Sequence, residues 1–143
     1  MVTVNDILKE KGNVYYWVEP GTITIDVLRL MAEKNIGAVL VIENKKLVGI
    51  FSERDYARKI VLQGKSSIDT HVSEFMSTSL STVDGHKFIT DCMQIMTDKH
   101  VRHLPVVENE EIKGVVSIGD IVGHIIRDQK NTIQQLEKYI TGE

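Results

Sequence analysis

The chain has 143 residues, 42% hydrophobic and 26% charged, with a formal net charge of −3 and an isoelectric point near 6.0. That length suits one ordinary domain or two very small ones sharing a core, and the charge balance lacks the basic excess of a nucleic-acid binder. No apolar run approaches the roughly 20 residues of a membrane helix, and a single cysteine, Cys92, excludes an intramolecular disulfide framework.

The first residues carry Asp6, Lys9 and Glu10 and lack the apolar core of a signal peptide, so a reducing, cytoplasmic setting is expected. Residues 5–11 read as a short helix stopped by Gly12. After the aromatic cluster Tyr15, Tyr16 and Trp17, the residues Ile25, Leu28, Met31 and Ala32 recur at helical spacing, with Asp26 in the first turn. Two apolar runs follow, 38–42 and 47–51, joined by the polar turn 43–46, which makes a hairpin. A helix is expected over about 53–62. Residues 72–76 resemble residues 4–8. Phe88, Ile89, Cys92, Ile95 and Met96 then form a second helical stripe, with Asp91 in its first turn. A second hairpin spans 104–107 and 112–116, and a closing helix about 118–128. The tail puts Ile133, Leu136 and Ile140 on one helical face, which predicts that it packs on something, a second subunit included.

These elements form a repeat. Shifted by 65 positions, Gly49 falls on Gly114, Ser52 on Ser117, Asp55 on Asp120, Val18 on Val83, Met31 on Met96 and Asn44 on Asn109. The segment 4–8 matches 72–76 at a shift of 68, so the linker differs by three residues.

Each second strand runs into Gly-apolar-apolar-Ser-x-x-Asp: Gly49-Ile50-Phe51-Ser52-Glu53-Arg54-Asp55 and Gly114-Val115-Val116-Ser117-Ile118-Gly119-Asp120. Where a strand enters a helix N-terminus, unpaired N–H groups and the positive dipole end suit a phosphate. The serine adds a hydroxyl, and a carboxylate accepts from both hydroxyls of a ribose. The same spacing is close to a capping box, which needs no ligand. Spacing leaves both readings open.

Over essentially its whole length the chain resembles a tandem pair of CBS domains (the cystathionine-β-synthase domain family), of the stand-alone bacterial type. The resemblance rests on the duplicated unit, on Arg102-His103-Leu104-Pro105-Val106-Val107, and on the two Gly-h-h-Ser-x-x-Asp endings. It implies an α/β (α+β) fold of two αββα repeats packed face to face around a pseudo-twofold axis, with short N-terminal and C-terminal helices. The boundaries expected are 1–65 for the first repeat with the N-terminal helix, 66–128 for the second repeat, and 129–143 for a helical tail. The resemblance further implies AMP or a related adenine nucleotide as ligand; ADP, ATP, NAD(H) and S-adenosylmethionine are bound within the family. In one cleft Ser117, Ile118 and Asp120 would hold phosphate and ribose, with Val83, Arg102, His103, Leu104 and Pro105 about the base. In the other, Ser52, Arg54 and Asp55 would do so, with Val18, Ala38, Val39 and Leu40 about the base. The clefts differ, because Arg102, His103 and Pro105 stand where the first copy has Gly37, Ala38 and Leu40. Arg54, Arg58 and Lys59 form either a basic helix end for extra phosphates or an ordinary solvated face.

His100 and His103 are three apart, yet no Cys, Asp or Glu completes a set of ligands, so no metal is expected. His86 and His124 read as surface positions, and Cys92 as a buried small hydrophobe. Tyr15, Tyr16 and Trp17 either stack on a base or, the favoured reading, cover the core or a dimer contact. The chain has no phosphate-binding Gly-rich motif and no acyl-transfer triad. The function expected is therefore a regulatory sensor, not an enzyme: a homodimer that binds an adenine nucleotide and acts on a separate effector protein, without nucleic acid or membrane. The alternative is a structural or interaction module with empty clefts.

Overall fold

In the computed structural model, which describes residues 1–142, each repeat forms the helix, hairpin and closing helix that its residues predict. The chain opens with α1 (Val4–Lys11), capped by Thr3 and stopped by Gly12 at φ 92°. The first repeat supplies β1 (Trp17–Val18), α2 (Thr24–Lys34), β2 (Ala38–Glu43), β3 (Lys46–Ser52) and α3 (Glu53–Asp55), which continues as a π-helical turn over Tyr56–Val61. A 3-10 turn lies at Val72–Glu74. The second repeat supplies α4 (Ile89–Lys99), β4 (His103–Glu108), β5 (Glu111–Ser117) and α5 (Ile118–Thr141).

Both hairpins close through two residues of positive φ, Asn44-Lys45 and Asn109-Glu110, the turn whose twist matches that of paired strands. β1 pairs in parallel with β2, Val18 opposite Val41, and β2 antiparallel with β3. In the second repeat a single parallel bridge, Val83 to Val106, takes the place of β1.

The chain divides into two compact units that cut across the tandem order. One comprises Met1–Asn13, Val83–Glu108 and the chain from Lys113; the other comprises Val14–Thr82 with Asn109–Ile112. The units thus group α1 with the second repeat and residues 66–82 with the first, whereas the expected repeat boundaries run 1–65 and 66–128. α1 instead buries Val4, Ile7 and Leu8 in one cluster with Cys92, Met96, Leu104, Val106, Val116 and Ile121. Val72 joins Val27, Met31, Val39, Val41, Phe51 and Ile60, with Phe75 and Met76 packed against them.

The physical reason is an apolar face on each helix-and-hairpin layer that its own repeat has no residue to cover. The backbone bonds recur accordingly. The Val4 N–H donates to the Lys87 carbonyl at 2.9 Å and the Ile89 N–H to the Val2 carbonyl at 3.0 Å; the Val72 N–H donates to Thr22 and the Thr24 N–H to Thr70, both at 2.9 Å. The motif glycines belong to this contact. A Cβ on Gly114 would lie 3.0 Å from Leu8 Cδ2, and one on Gly49 would collide with Met76.

The expected helix faces need two adjustments. α2 buries Thr24, Val27 and Met31, leaving Ile25 and Leu28 half-buried and Ala32 exposed. Its phase is set by the buried Thr24 hydroxyl, 2.8 Å from that of Thr70. Phe88 lies outside α4 as its N-cap, 39% exposed. The tail is no separate segment, because α5 runs unbroken from Ile118 to Thr141. No helix among the described residues is long and apolar enough to cross a membrane.

Ile7→Ala is expected to destabilise the unit built on the second repeat by about 2–5 kcal/mol. Hydrogen exchange should then speed up in α4 and β4–β5 while β2–β3 keeps its protection. Acceleration confined to α1 would show that the helix is dispensable to that core.

Candidate functional site

The residues expected around the second copy's ligand divide into two groups. Ser117 and Asp120 meet where β5 passes into α5. The Asp120 N–H donates to Ser117 Oγ at 3.0 Å, and the Ser117 N–H donates to Asp120 Oδ2 at 2.9 Å. The capping box is therefore closed by these two side chains themselves. The Ile118 N–H donates to the Arg102 carbonyl at 2.9 Å, which holds the entry to β4 beside this corner. His103 follows on β4, close enough for the Asp120 charge to act on its ring. Leu104, Pro105 and Val83 lie elsewhere: all three are buried, and Leu104 and Val83 belong to the hydrophobic cluster. Val83 is held there by its parallel bridge to Val106.

A residue that the sequence did not single out completes the corner. Lys11, on the last turn of α1, donates to Asp120 Oδ2 and to the Val115 carbonyl, each at 2.8 Å. Nothing in local spacing joins residues so far apart; only the docking of α1 on this unit does. Beside it, Glu10 binds His124 Nδ1 at 2.7 Å and pairs with Arg127. His124 is thus half-buried and engaged, against the surface position expected.

Burial of the Asp120 carboxyl works to raise its pKa, but the hydrogen bonds from Lys11 and Ser117 outweigh it and hold the group below its ordinary 3.8. Burial pushes the His103 imidazole below its ordinary 6.5, with Lys11 and Arg102 adding to the effect and Asp120 opposing it. The corner therefore presents a carboxylate, an ammonium and a neutral imidazole at neutral pH.

The first copy repeats the cap with different partners. The Asp55 N–H donates to Ser52 Oγ at 3.2 Å, while the Ser52 N–H and hydroxyl both donate to Asp55 Oδ2 at 3.0 Å. Here the lysine is Lys59, one turn along the same helical stretch. It lies 3.1 Å from Asp55 Oδ1 and donates to the Phe75 carbonyl at 3.1 Å. Of the proposed basic helix end, only Arg54 and Arg58 remain exposed. Val39 and Leu40 are buried, and Ala38 and Val18 half-buried. The difference between the copies is covalent in origin: Ser79 stands at the position equivalent to Lys11, and His124 at that equivalent to Lys59.

A cavity of about 890 Å³ lies in the unit built on the first repeat, walled by Tyr15, Trp17, Glu19, Pro20, Ile42 and residues 43–45 and 110–112 at the hairpin ends among others. None of the residues expected to hold ribose and phosphate borders it, although Tyr15 and Trp17, one reading of which is stacking on a base, do. Trp17 is 47% exposed there, and Tyr16 receives the Lys34 ammonium 5.4 Å from its ring centre. Cys92 carries a free thiol that is fully buried, as its place on the helix stripe predicts. Among the described residues no His, Cys, Asp and Glu cluster could hold a metal ion.

Lys11→Met is expected to lower stability by about 1–2 kcal/mol at pH 7, below the ~1.5–3 kcal/mol of a hydrogen bond to a charged group because both side chains are partly exposed to solvent. Asp120 has its pKa lowered on folding, so its contribution is complete above 3.8 and fades as pH falls through the folded value. Denaturant unfolding should show the variant and the wild type converging in that acid range. His103 likewise has its pKa lowered on folding. Stability should fall as pH drops below 6.5, because the unfolded chain takes the proton first, and His103→Gln should blunt that fall.

The CBS domain family model matches residues 14–62 and 72–127. The mitochondrial CBS domain-containing protein CBSX3 of Arabidopsis thaliana is 36% identical over 98% of this chain and 72% of its own length. A solved structure of a protein with CBS domains from Burkholderia ambifaria MC40-6 is 43% identical, covers 90% of this chain and 96% of that one, and superposes with a TM-score of 0.86. The CBS domain pair of the protein MJ0100, solved with 5′-methylthioadenosine and S-adenosyl-L-methionine, covers 90% of this chain and 98% of that one at a TM-score of 0.79; at 21% identity it shows the fold alone. With both repeats matched in sequence and in fold, the chain belongs to the CBS domain family and carries two tandem copies of that domain.

Proposed function

We propose that this protein is a regulatory module that binds an adenosyl ligand, an adenine nucleotide such as AMP, ATP or NAD(H), and passes its occupancy to a separate effector protein. It works as a non-catalytic homodimer in a reducing compartment such as the cytoplasm. The observation that carries this reading is the corner of Ser117, Asp120, His103 and Lys11 at the start of α5. It combines a helix N-terminus, a carboxylate suited to ribose hydroxyls and a cation suited to phosphate. Family membership and the adenosyl compounds bound to the MJ0100 pair support the ligand class.

The arrangement suggests how occupancy is reported. A ribose that takes Asp120 competes with Lys11, which is carried by α1. The ligand can bias α1 only by the difference in its affinity for the docked and released states.

A second reading, an interaction module with empty clefts, is favoured by one observation. Ser117 and Asp120, like Ser52 and Asp55, already satisfy each other as caps.

Calorimetric titration of nucleotide-stripped protein with AMP, ATP, NAD+ and NADH separates the two. Binding to wild type that disappears in Asp120→Ala is expected. Silence from all four ligands, with a stability loss of only about 1 kcal/mol in the variant, would identify caps alone.

A further inference from the structure

Along α5 the residues Val122, Ile126, Ile133, Leu136 and Ile140 fall at the d, a, a, d and a positions of a seven-residue repeat, with Gln129 at the remaining d. They are 41, 48, 54, 56 and 80% exposed. From Ile126 to Thr141 every residue of the helix is exposed. At ~1.5 Å per residue that stretch is roughly 24 Å long. A helix of this length is marginal in water unless its apolar face is covered, and an isoleucine and leucine seam left in water is unfavourable.

The seam is flanked by opposite charges at the same heptad position. Lys130 and Glu137 both occupy e. In a parallel pair of helices an e position faces g, where this helix has Ile125, Thr132 and Tyr139, none of them charged. In an antiparallel pair e faces e. Lys130 then meets Glu137 of the partner subunit, and the twofold axis makes the contact twice. The same register sets Ile133 against Leu136 of the partner subunit.

We infer that the exposed seam of α5 is a self-association surface, and that its occupant is a second copy of this chain joined in an antiparallel two-stranded coiled coil. This rests on the homodimer proposed above and gives it a location and a direction.

Sedimentation equilibrium of the full chain tests it, with circular dichroism confirming that each variant folds. Ile133→Asp should weaken self-association by on the order of 100-fold. Lys130→Glu should weaken it by about tenfold, and Lys130→Glu combined with Glu137→Lys should restore it. A monomeric wild type would overturn the coiled coil and the homodimer together. A dimer indifferent to all three variants would overturn the coiled coil alone and place the dimer contact elsewhere. Weakening without rescue by the second charge would overturn the antiparallel direction.

Discussion

Each helix-and-hairpin layer of this protein is completed by a segment from outside that layer's own repeat, one preceding it in the chain and one following it, and the rest of the structure depends on that cover. Val4, Ile7 and Leu8 close the layer of the second repeat, and Val72, Phe75 and Met76 close that of the first. Without them a small α/β layer would leave its apolar face in water, where a unit of this size has little burial to spare. The close approach also explains the motif glycines. Gly49 and Gly114 sit under Met76 and Leu8, where a Cβ would collide with Met76 in the first case and press on Leu8 in the second. A feature that looks like part of a phosphate loop is first a packing requirement.

The same docking decides the chemistry of the corner at α5. Because α1 lies on the unit of the second repeat, Lys11 reaches Asp120 and Glu10 reaches His124 and Arg127. Asp120 is thereby held ionised in a half-buried place where burial alone would favour its neutral form. In the first copy the lysine comes from the aspartate's own helical stretch: Lys59 pairs with Asp55 and donates to the carbonyl of Phe75 in the covering segment. Two copies that share the Ser-x-x-Asp spacing therefore differ in where the lysine on the aspartate comes from. At Asp55 it is a side chain of the same helical stretch. At Asp120 it is carried by the end of another helix, α1.

Much of this was legible in the residues. The 65-residue repeat, both hairpins with their Asn-led turns, the helix stops at Gly12, and the burial of Cys92 follow from periodicity and turn chemistry, which act over a few residues. The Ser-x-x-Asp pairs were legible as two alternatives, and the capping geometry they form is the one local spacing can specify. The face of α2 is not legible in the apolar pattern, because a buried Thr24–Thr70 contact sets its phase and hydropathy gives threonine little weight. Leu104, Pro105, Val39 and Leu40 are buried, a property their apolar strands share whether or not they also wall a ligand.

Local sequence thus determined the elements, their duplication and the caps at β3–α3 and β5–α5, because hydrogen-bond spacing and hydrophobic period are properties of neighbouring residues. Tertiary structure alone decided which segment covers which layer, and with it the pairing of Lys11 with Asp120. Residues 4–8 and 72–76 are alike in sequence, so each could in principle cover either repeat. The choice between them is made by packing and by main-chain bonds such as Val4 to Lys87 and Val72 to Thr22, which join residues distant in the chain and leave no periodic mark on it.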